Sequence, residues 1–188
     1  MTKIKGPGES ALLLLQVVKL LDQSNIPYAV IGAFAASFYG QVRATLDADA
    51  VISLGERDQL TGFMGALKNA GLKVESRQGD AEDPVRGIIN IKDKFKNSVD
   101  LLTGIRGMGP DIFERTVKAS FLGAEIKIAG VEDFIAMKIY GGGPQDIEDV
   151  ICVLKVQKKK VKMSLLRQLT LRYGKKLLSK LEQILKDI

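Results

Sequence analysis

The stretch Thr45-Leu46-Asp47-Ala48-Asp49-Ala50-Val51-Ile52 constrains this chain more than any other. Apolar and β-branched residues with period-two alternation form a strand, which puts Thr45, Asp47, Asp49 and Val51 on one face and Leu46, Ala48, Ala50 and Ile52 on the other. The second face seeks a core, whereas the first is acidic. Carboxylates at i and i+2 of a strand stand roughly 6–7 Å apart at their Cα atoms, within reach of one hard cation. Two such charges repel unless something positive lies between them. Alone, the pair fits the wet face of an edge strand equally well, so its neighbours bear on the choice.

Upstream, Ile26-Pro27-Tyr28-Ala29-Val30-Ile31 reads as a buried strand that breaks at Gly32 into Ala33-Phe34-Ala35-Ala36-Ser37-Phe38-Tyr39-Gly40, a helical run closed by Gly40 as its C-terminal cap. A glycine at a strand-to-helix turn serves steric needs in many α/β turns. It also lets a phosphate approach the free N–H groups of a helix start. Downstream, Asn97-Ser98-Val99-Asp100-Leu101-Leu102 follows the strand-like Gly87-Ile88-Ile89-Asn90-Ile91 and carries one acid in an apolar run. Burying an unpaired carboxylate is costly, so Asp100 is expected to be paired, metal-bound or on a polar strand face. Three carboxylates on adjacent strands beside a phosphate-binding turn supply what two-metal phosphoryl transfer needs.

The composition removes other chemistries. The chain has no histidine, which excludes imidazole bases, Ser-His-Asp and Cys-His catalysis and histidine metal ligation. No Gly-x-x-x-x-Gly-Lys-Ser/Thr loop is present, and Gly104-Ile105-Arg106-Gly107-Met108-Gly109-Pro110 lacks dinucleotide-binding spacing and reads as a mobile loop. The single Cys152 sits in an apolar helical pattern and is expected to be a small buried residue, which is compatible with a reducing compartment. At 188 residues and 46% hydrophobic, one core with a small appendage is expected. Ala11 to Val18 is too short to span a membrane, Ser10 is a candidate N-cap for its helix, and no small-residue cleavage site follows, so a cytoplasmic protein is expected. Further helix and strand patterns lie at Arg57–Ala70 and Leu72–Ser76, giving a mixed α/β or α+β sheet with helices against it.

Taken together, Gly32-Ala33, Asp47-x-Asp49 and Asp100 resemble the nucleotidyltransferase signature of the DNA polymerase β superfamily. The wording Tyr39-Gly40-x-x-Arg43-Ala44-Thr45-x-Asp47-x-Asp49 is similar to the AbiEii-type toxin nucleotidyltransferases, as is Val131 to Lys138 followed by Pro144 to Val150. The resemblance spans roughly residues 26 to 155 and implies a nucleotidyltransferase-type mixed sheet flanked by helices over 1–150, with a basic helical extension over 151–188. It implies two Mg²⁺ ions held by Asp47 and Asp49, with Asp100 as a further ligand or base, and a nucleoside triphosphate as substrate. Gly32 and Ala33 would face the triphosphate, Arg43 and Thr45 would steady phosphate or orient Asp47, and Lys138 would contact phosphates with Asp146 nearby. Lys138 also fits a snorkelling lysine on an amphipathic helix, and Asp146 fits an N-cap for a helix from Ile147 to Val156. Ala33 departs from the Ser or Gly of many members, leaving a backbone N–H but no hydroxyl for phosphate.

The formal charge of +6 is concentrated in Lys155, Lys158, Lys159, Lys160, Lys162, Arg167, Arg172, Lys175, Lys176 and Lys180. Leu165, Leu169, Leu177, Leu178, Leu181, Ile184 and Leu185 form an apolar helical stripe, leaving the basic residues as an outward face. That face is a solvated helix surface or a track for an RNA backbone, tRNA included. The expected activity is transfer of a nucleoside monophosphate to a hydroxyl of RNA or protein, with a toxin paired to an antitoxin as one setting. The alternative is a non-catalytic nucleic-acid- or partner-binding protein that retains the fold.

Overall fold

The computed structural model describes residues 3–55, 57–80 and 82–188. One mixed sheet runs through the molecule, with strands β1 (Tyr28–Ile31), β2 (Asp47–Ile52), β3 (Lys73–Gln78), β4 (Gly87–Lys92), β5 (Ser98–Leu102), β6 (Val117–Phe121) and β7 (Ala124–Ile128). Their order across the sheet is β3-β4-β5-β2-β1-β7-β6. Helices α1 (Ser10–Gln23) and α3 (Arg57–Asn69) cover one face. Helix α2 (Gly32–Phe38) leaves β1, and α4 (Val131–Gly141), α5 (Pro144–Gln157), α6 (Met163–Tyr173) and α7 (Lys175–Asp187) follow the last strand.

The covered face is built from the alternation read in the sequence. Ala48, Ala50, Val99, Leu101, Ile89 and Ile91 are buried with Leu13, Leu14, Val17 and Leu21 of α1 and Phe63 and Leu67 of α3. Each fully buried leucine or phenylalanine contributes about 1.5–3 kcal/mol relative to exposure, which makes this layer the main anchor of β2 and β5. A smaller cluster on the opposite face joins Ala29, Ile31 and Val51 to Ile105, Ile112, Ala129 and Met137. It ends where Asp49 and Asp100 begin.

Several expectations shift by a residue or more. The acid-bearing strand starts at Asp47, not Thr45, and Leu46 is 85% exposed instead of sharing the apolar face. Ser10 is not the N-cap of α1: Glu9 holds that position, and the Ser10 hydroxyl donates to the Leu46 carbonyl while accepting the Ser98 N–H. It thereby ties α1 to the entry of β2 and the start of β5. Tyr39 caps α2, with Gly40 following at φ +108°. Cys152 is half-buried, not buried, because its position on α5 falls between the core face and solvent. Gly104 to Pro110 packs Ile105 into the smaller cluster and precedes a short 3₁₀ helix at Pro110–Arg115.

The last four helices form a block around α4. Gly142, at φ +68°, closes α4 in the left-handed conformation that glycine favours, and Pro144 opens α5. Helix α5 runs without a break across position 150. Glu132 accepts the backbone N–H of Lys162 at 2.7 Å, fixing the chain just before α6. Leu169, Leu181 and Ile184 of the expected stripe are buried, and Leu165, Leu177, Leu178 and Leu185 pack against them. No described helix is long and apolar enough to cross a membrane.

Candidate functional site

Strands β2 and β5 lie side by side and parallel, with Asp49 opposite Asp100 and Asp47 opposite Ser98. Opposed residues of neighbouring strands point to one face, and so do residues two apart, so all three acids project from the same side of the sheet. The sheet thus assembles the expected acidic set from segments about fifty positions apart in the chain.

Each acid has a different environment. Asp47 is exposed, and the Thr45 hydroxyl donates to its Oδ1 at 2.9 Å. Asp100 accepts a short hydrogen bond from the Asn90 amide, whose nitrogen also reaches Ser98 Oγ at 3.0 Å. Asp49 is half-buried and makes no hydrogen bond or ion pair among the described residues. Burial first, then the Asp47 and Asp100 charges, push its carboxyl up to about 6, against the weaker pull of Lys138 and Arg43.

Gly32 explains how Asp49 fits. It has φ +64°, which disfavours any side chain, and a β-carbon there would overlap Asp49 Oδ2 and stand 3.0 Å from its Cγ. The turn out of β1 therefore closes directly over the carboxylate. Ala33, next along, is 3% exposed, so its methyl is packed.

Behind the acids lies a second charged group. Lys138 Nζ bridges Asp146 at 2.7 Å and Asp149 at 3.0 Å, and Arg43 Nε stands 3.5 Å from Asp149. Asp149 is fully buried. Neither Arg43 Nε nor Asp149 Oδ2 has a hydrogen-bond partner, so the cluster is paired by charge without being saturated. Asp146 is not the N-cap of α5: it stands at the third helical position, where its carboxylate accepts the Gly143 N–H at 3.3 Å. Lys138 is not a solvent-seeking lysine either, because its side chain is 13% exposed and clamped between two acids.

Two residues of this arrangement were not singled out in the sequence. Asn90 is the polar member of an isoleucine-rich strand, the same signal that marks Asp100. Asp149 follows Asp146 by one helical turn, a spacing that also fits an ordinary outward-facing acid.

The donors suit a hard divalent cation. Asp49 is a carboxylate without a partner, charged at a cost and flanked by two more oxygen donors, and a cation is what offsets that cost. Among the described residues, no three acidic or thiol side chains are gathered closely enough to hold a metal ion as they stand; the acids form an open rack along two strands. A cation at Asp49 would have Asp47 and Asp100 as the carboxylates beside it on the same face of the sheet.

No protein-family profile and no curated protein matches the sequence. Solved structures do. The solution structure of the antibiotic-resistance factor ANT(2'')-Ia is similar with a TM-score of 0.58 at 14% identity, covering 94% of this chain and 97% of that one. An antigenic nucleotidyltransferase-like protein from Paracoccidioides brasiliensis gives 0.53 at 18% identity, over 93% and 92% of the two chains. The lincosamide antibiotic adenylyltransferase LnuA, solved with lincomycin, gives 0.51 at 11% identity, over 76% and 95%. At such identities the likeness speaks to the fold, and it extends over nearly the whole length of each of those proteins. The chain has the nucleotidyltransferase fold, a mixed seven-stranded sheet with helices at its C-terminal end.

Proposed function

We propose that the protein is a Mg²⁺-dependent nucleotidyltransferase that moves a nucleoside monophosphate from a nucleoside triphosphate to an acceptor hydroxyl. The observation that carries this reading is the register of Asp49 against Asp100, with Asp47 on the same face and Gly32 closed over Asp49. When bound, Mg²⁺ supplies charge neutralisation at the attacking and leaving oxygens.

The acceptor oxygen forms a bond to the α-phosphorus, and the bond from that phosphorus to the bridging oxygen of pyrophosphate breaks. Asp47 and Asp49 would hold the ions. Asp100, oriented by Asn90, completes the ligand set or takes the acceptor proton. The Gly32–Ala33 turn offers backbone to the triphosphate. Lys138 and Arg43, held by Asp149 and Asp146, place positive charge beside the acids, where phosphate oxygens gather.

The acceptor in this proposal is RNA, tRNA among the candidates, assisted by the basic C-terminal helices. Two of those basic residues have other partners: Arg167 pairs with Glu182, and Arg172 with Asp111. The lysines at 155 and 158–160 remain exposed. Small-molecule hydroxyls belong in the same test, because ANT(2'')-Ia has been solved with adenylyl-2''-tobramycin and LnuA with lincomycin. Incubating the protein with each labelled triphosphate, Mg²⁺ and total RNA, with tobramycin and lincomycin in parallel, identifies both substrates. No label on any acceptor and no Mg²⁺-dependent nucleotide binding sink the proposal.

A second reading is a partner-binding protein, including a toxin held by an antitoxin. The exposed Val42 and Leu46, 82% and 85% accessible on the segment leading into Asp47, favour it. Co-purification of a small neighbouring-gene product that blocks nucleotide binding would establish that role.

A further inference from the structure

The face that carries the acids continues beyond them. Following the pairing outward from β2, Asp47 lies in a row with Ser98, Lys92 and Lys73, and Asp49 in a row with Asp100, Asn90 and Glu75. The next row runs from Val51 through Leu102 and Ile88 to Arg77. Arg86, just before β4, packs over Gly104 at the end of this row. Helices α1 and α3 cover the other side of β4 and β5, so these rows form a shelf about 14 Å wide, three strand spacings from β2 to β3.

In-line phosphoryl transfer places the attacking oxygen and the leaving group on opposite sides of the phosphorus. Gly32 opens α2 directly after β1, Arg43 lies between α2 and β2, and Lys138 of α4 joins Arg43 through Asp149, on the β1 side of the acid pair. Asp100 and the shelf are on the other. On the nucleotidyltransferase reading, the triphosphate occupies the first side and leaves the shelf to the acceptor.

The shelf's charges select the acceptor's chemistry. Lys92 and Arg86 make no ion pair among the described residues. Glu75 is paired with Lys73 at 2.7 Å and Asp83 with Arg77 at 3.2 Å, so these two acids already hold a cation each. Ile88 is half-buried, and the rows contain no aromatic side chain for a base to stack on. Unpaired basic groups at the two ends of one strand, without an apolar pocket, match successive phosphates of a nucleic-acid backbone, bound without base selection.

We infer that the shelf formed by β5, β4 and β3 binds the acceptor RNA strand, with Lys92 and Arg86 as its principal phosphate contacts. This rests on the nucleotidyltransferase reading for the word acceptor, but the binding surface is tested without it. The probe is a fluorescein-labelled oligouridylate of about a dozen nucleotides, a length within the range of single-strand sites, titrated with the full chain and no nucleotide. Lys92→Glu and Arg86→Glu should each weaken binding at least about tenfold, and Lys92→Gln less, while thermal melting stays near wild type. Mg²⁺ and a non-hydrolysable triphosphate should bind all variants alike.

Equal RNA affinity of wild type and Lys92→Glu overturns the inference. So does equal affinity of wild type for polyglutamate and oligouridylate, which would make the shelf a general anion surface, or transfer to tobramycin that Lys92→Glu leaves unchanged. Loss of RNA binding in these variants, in a protein that fails to bind the triphosphate, keeps the shelf and overturns the nucleotidyltransferase reading alone.

Discussion

Gly32 and Asp49 form a contact that no other residue at position 32 permits: the turn at φ +64° leaves the space of its missing β-carbon to the Asp49 carboxylate. Gly32→Ala meets both a disfavoured backbone conformation and an overlap with Asp49 Oδ2. A loss of about 1–3 kcal/mol is expected from this strain. Chemical denaturation reads the loss, and the displaced Asp49 should show as weakened Mg²⁺ binding by calorimetry. Unchanged stability with unchanged metal affinity would separate the two residues.

Asp49 makes stability fall as pH rises. Its carboxyl titrates at about 6 in the folded protein against 3.8 for the ordinary group, so the folded state holds its proton more tightly than the unfolded chain. The cost is absent below pH 3.8, grows between 3.8 and about 6, and is complete above that. A shift of this size corresponds to about 2–3 kcal/mol. Asp49→Asn should therefore melt higher than wild type at pH 7, with the gap closing toward pH 4, and Asp47→Asn should gain less. Both should lose label transfer, because amides hold a hard cation poorly. Near-normal transfer by Asp47→Asn would remove the metal assignment.

Asp149 is expected to be the costliest acid to remove. Asp149→Ala leaves Arg43 without its fully buried counter-charge and Lys138 with Asp146 alone. Breaking a buried pair from one side costs about 3–5 kcal/mol. Denaturation midpoints for Asp149→Ala and for the double variant Asp149→Ala with Arg43→Met measure it. The double variant should recover part of the loss, because the Arg43 charge left without its Asp149 counter-charge is then gone, while Lys138 keeps Asp146.

Asp111 fastens the C-terminal block to the rest of the protein. It accepts from Arg115 at 2.6 Å and from Arg172 of α6 at 2.8 Å, and these hydrogen bonds hold its carboxyl far below the usual carboxylate range. A lowered carboxyl contributes stability above its ordinary pKa near 4 and loses it as pH falls below that. Asp111→Asn should cost about 1–2 kcal/mol at pH 7, after allowance for its partial exposure. The difference from wild type should shrink in acid. Hydrogen exchange in α6 should rise in the variant, and an unaltered α6 would show that packing alone retains it.

Charge reversal at Lys158, Lys159 and Lys160 tests the C-terminal face independently of the shelf. If these exposed lysines neutralise RNA phosphates, the slope of log affinity against log salt should flatten by about 2, at about 0.7 per contact for a single strand. Triphosphate affinity should not move. An unchanged slope would leave the three lysines as a solvated helix surface.

The local patterns of this chain determined its elements and the kind of chemistry open to it. Period-two alternation put Asp47 and Asp49 on one face of β2, the Gly-Gly-Gly-Pro run ended α4, and the absence of histidine left carboxylate and lysine chemistry. Hairpin β6–β7 was harder to see, because Leu122 and Gly123 turn it with positive φ but without the Asn-Gly or Asp-Gly signal. The tertiary structure alone decided that β2 lies parallel to β5 with Asp49 against Asp100, that Asn90 orients Asp100, and that Asp149 is buried under Lys138 and Arg43. It also turned Arg172, which reads as a member of an outward basic face, toward Asp111. A side-chain period records how a segment divides its residues between two faces. Which strand lies beside it, in what register, and which charge meets which across the gap are set by packing among residues far apart in the chain.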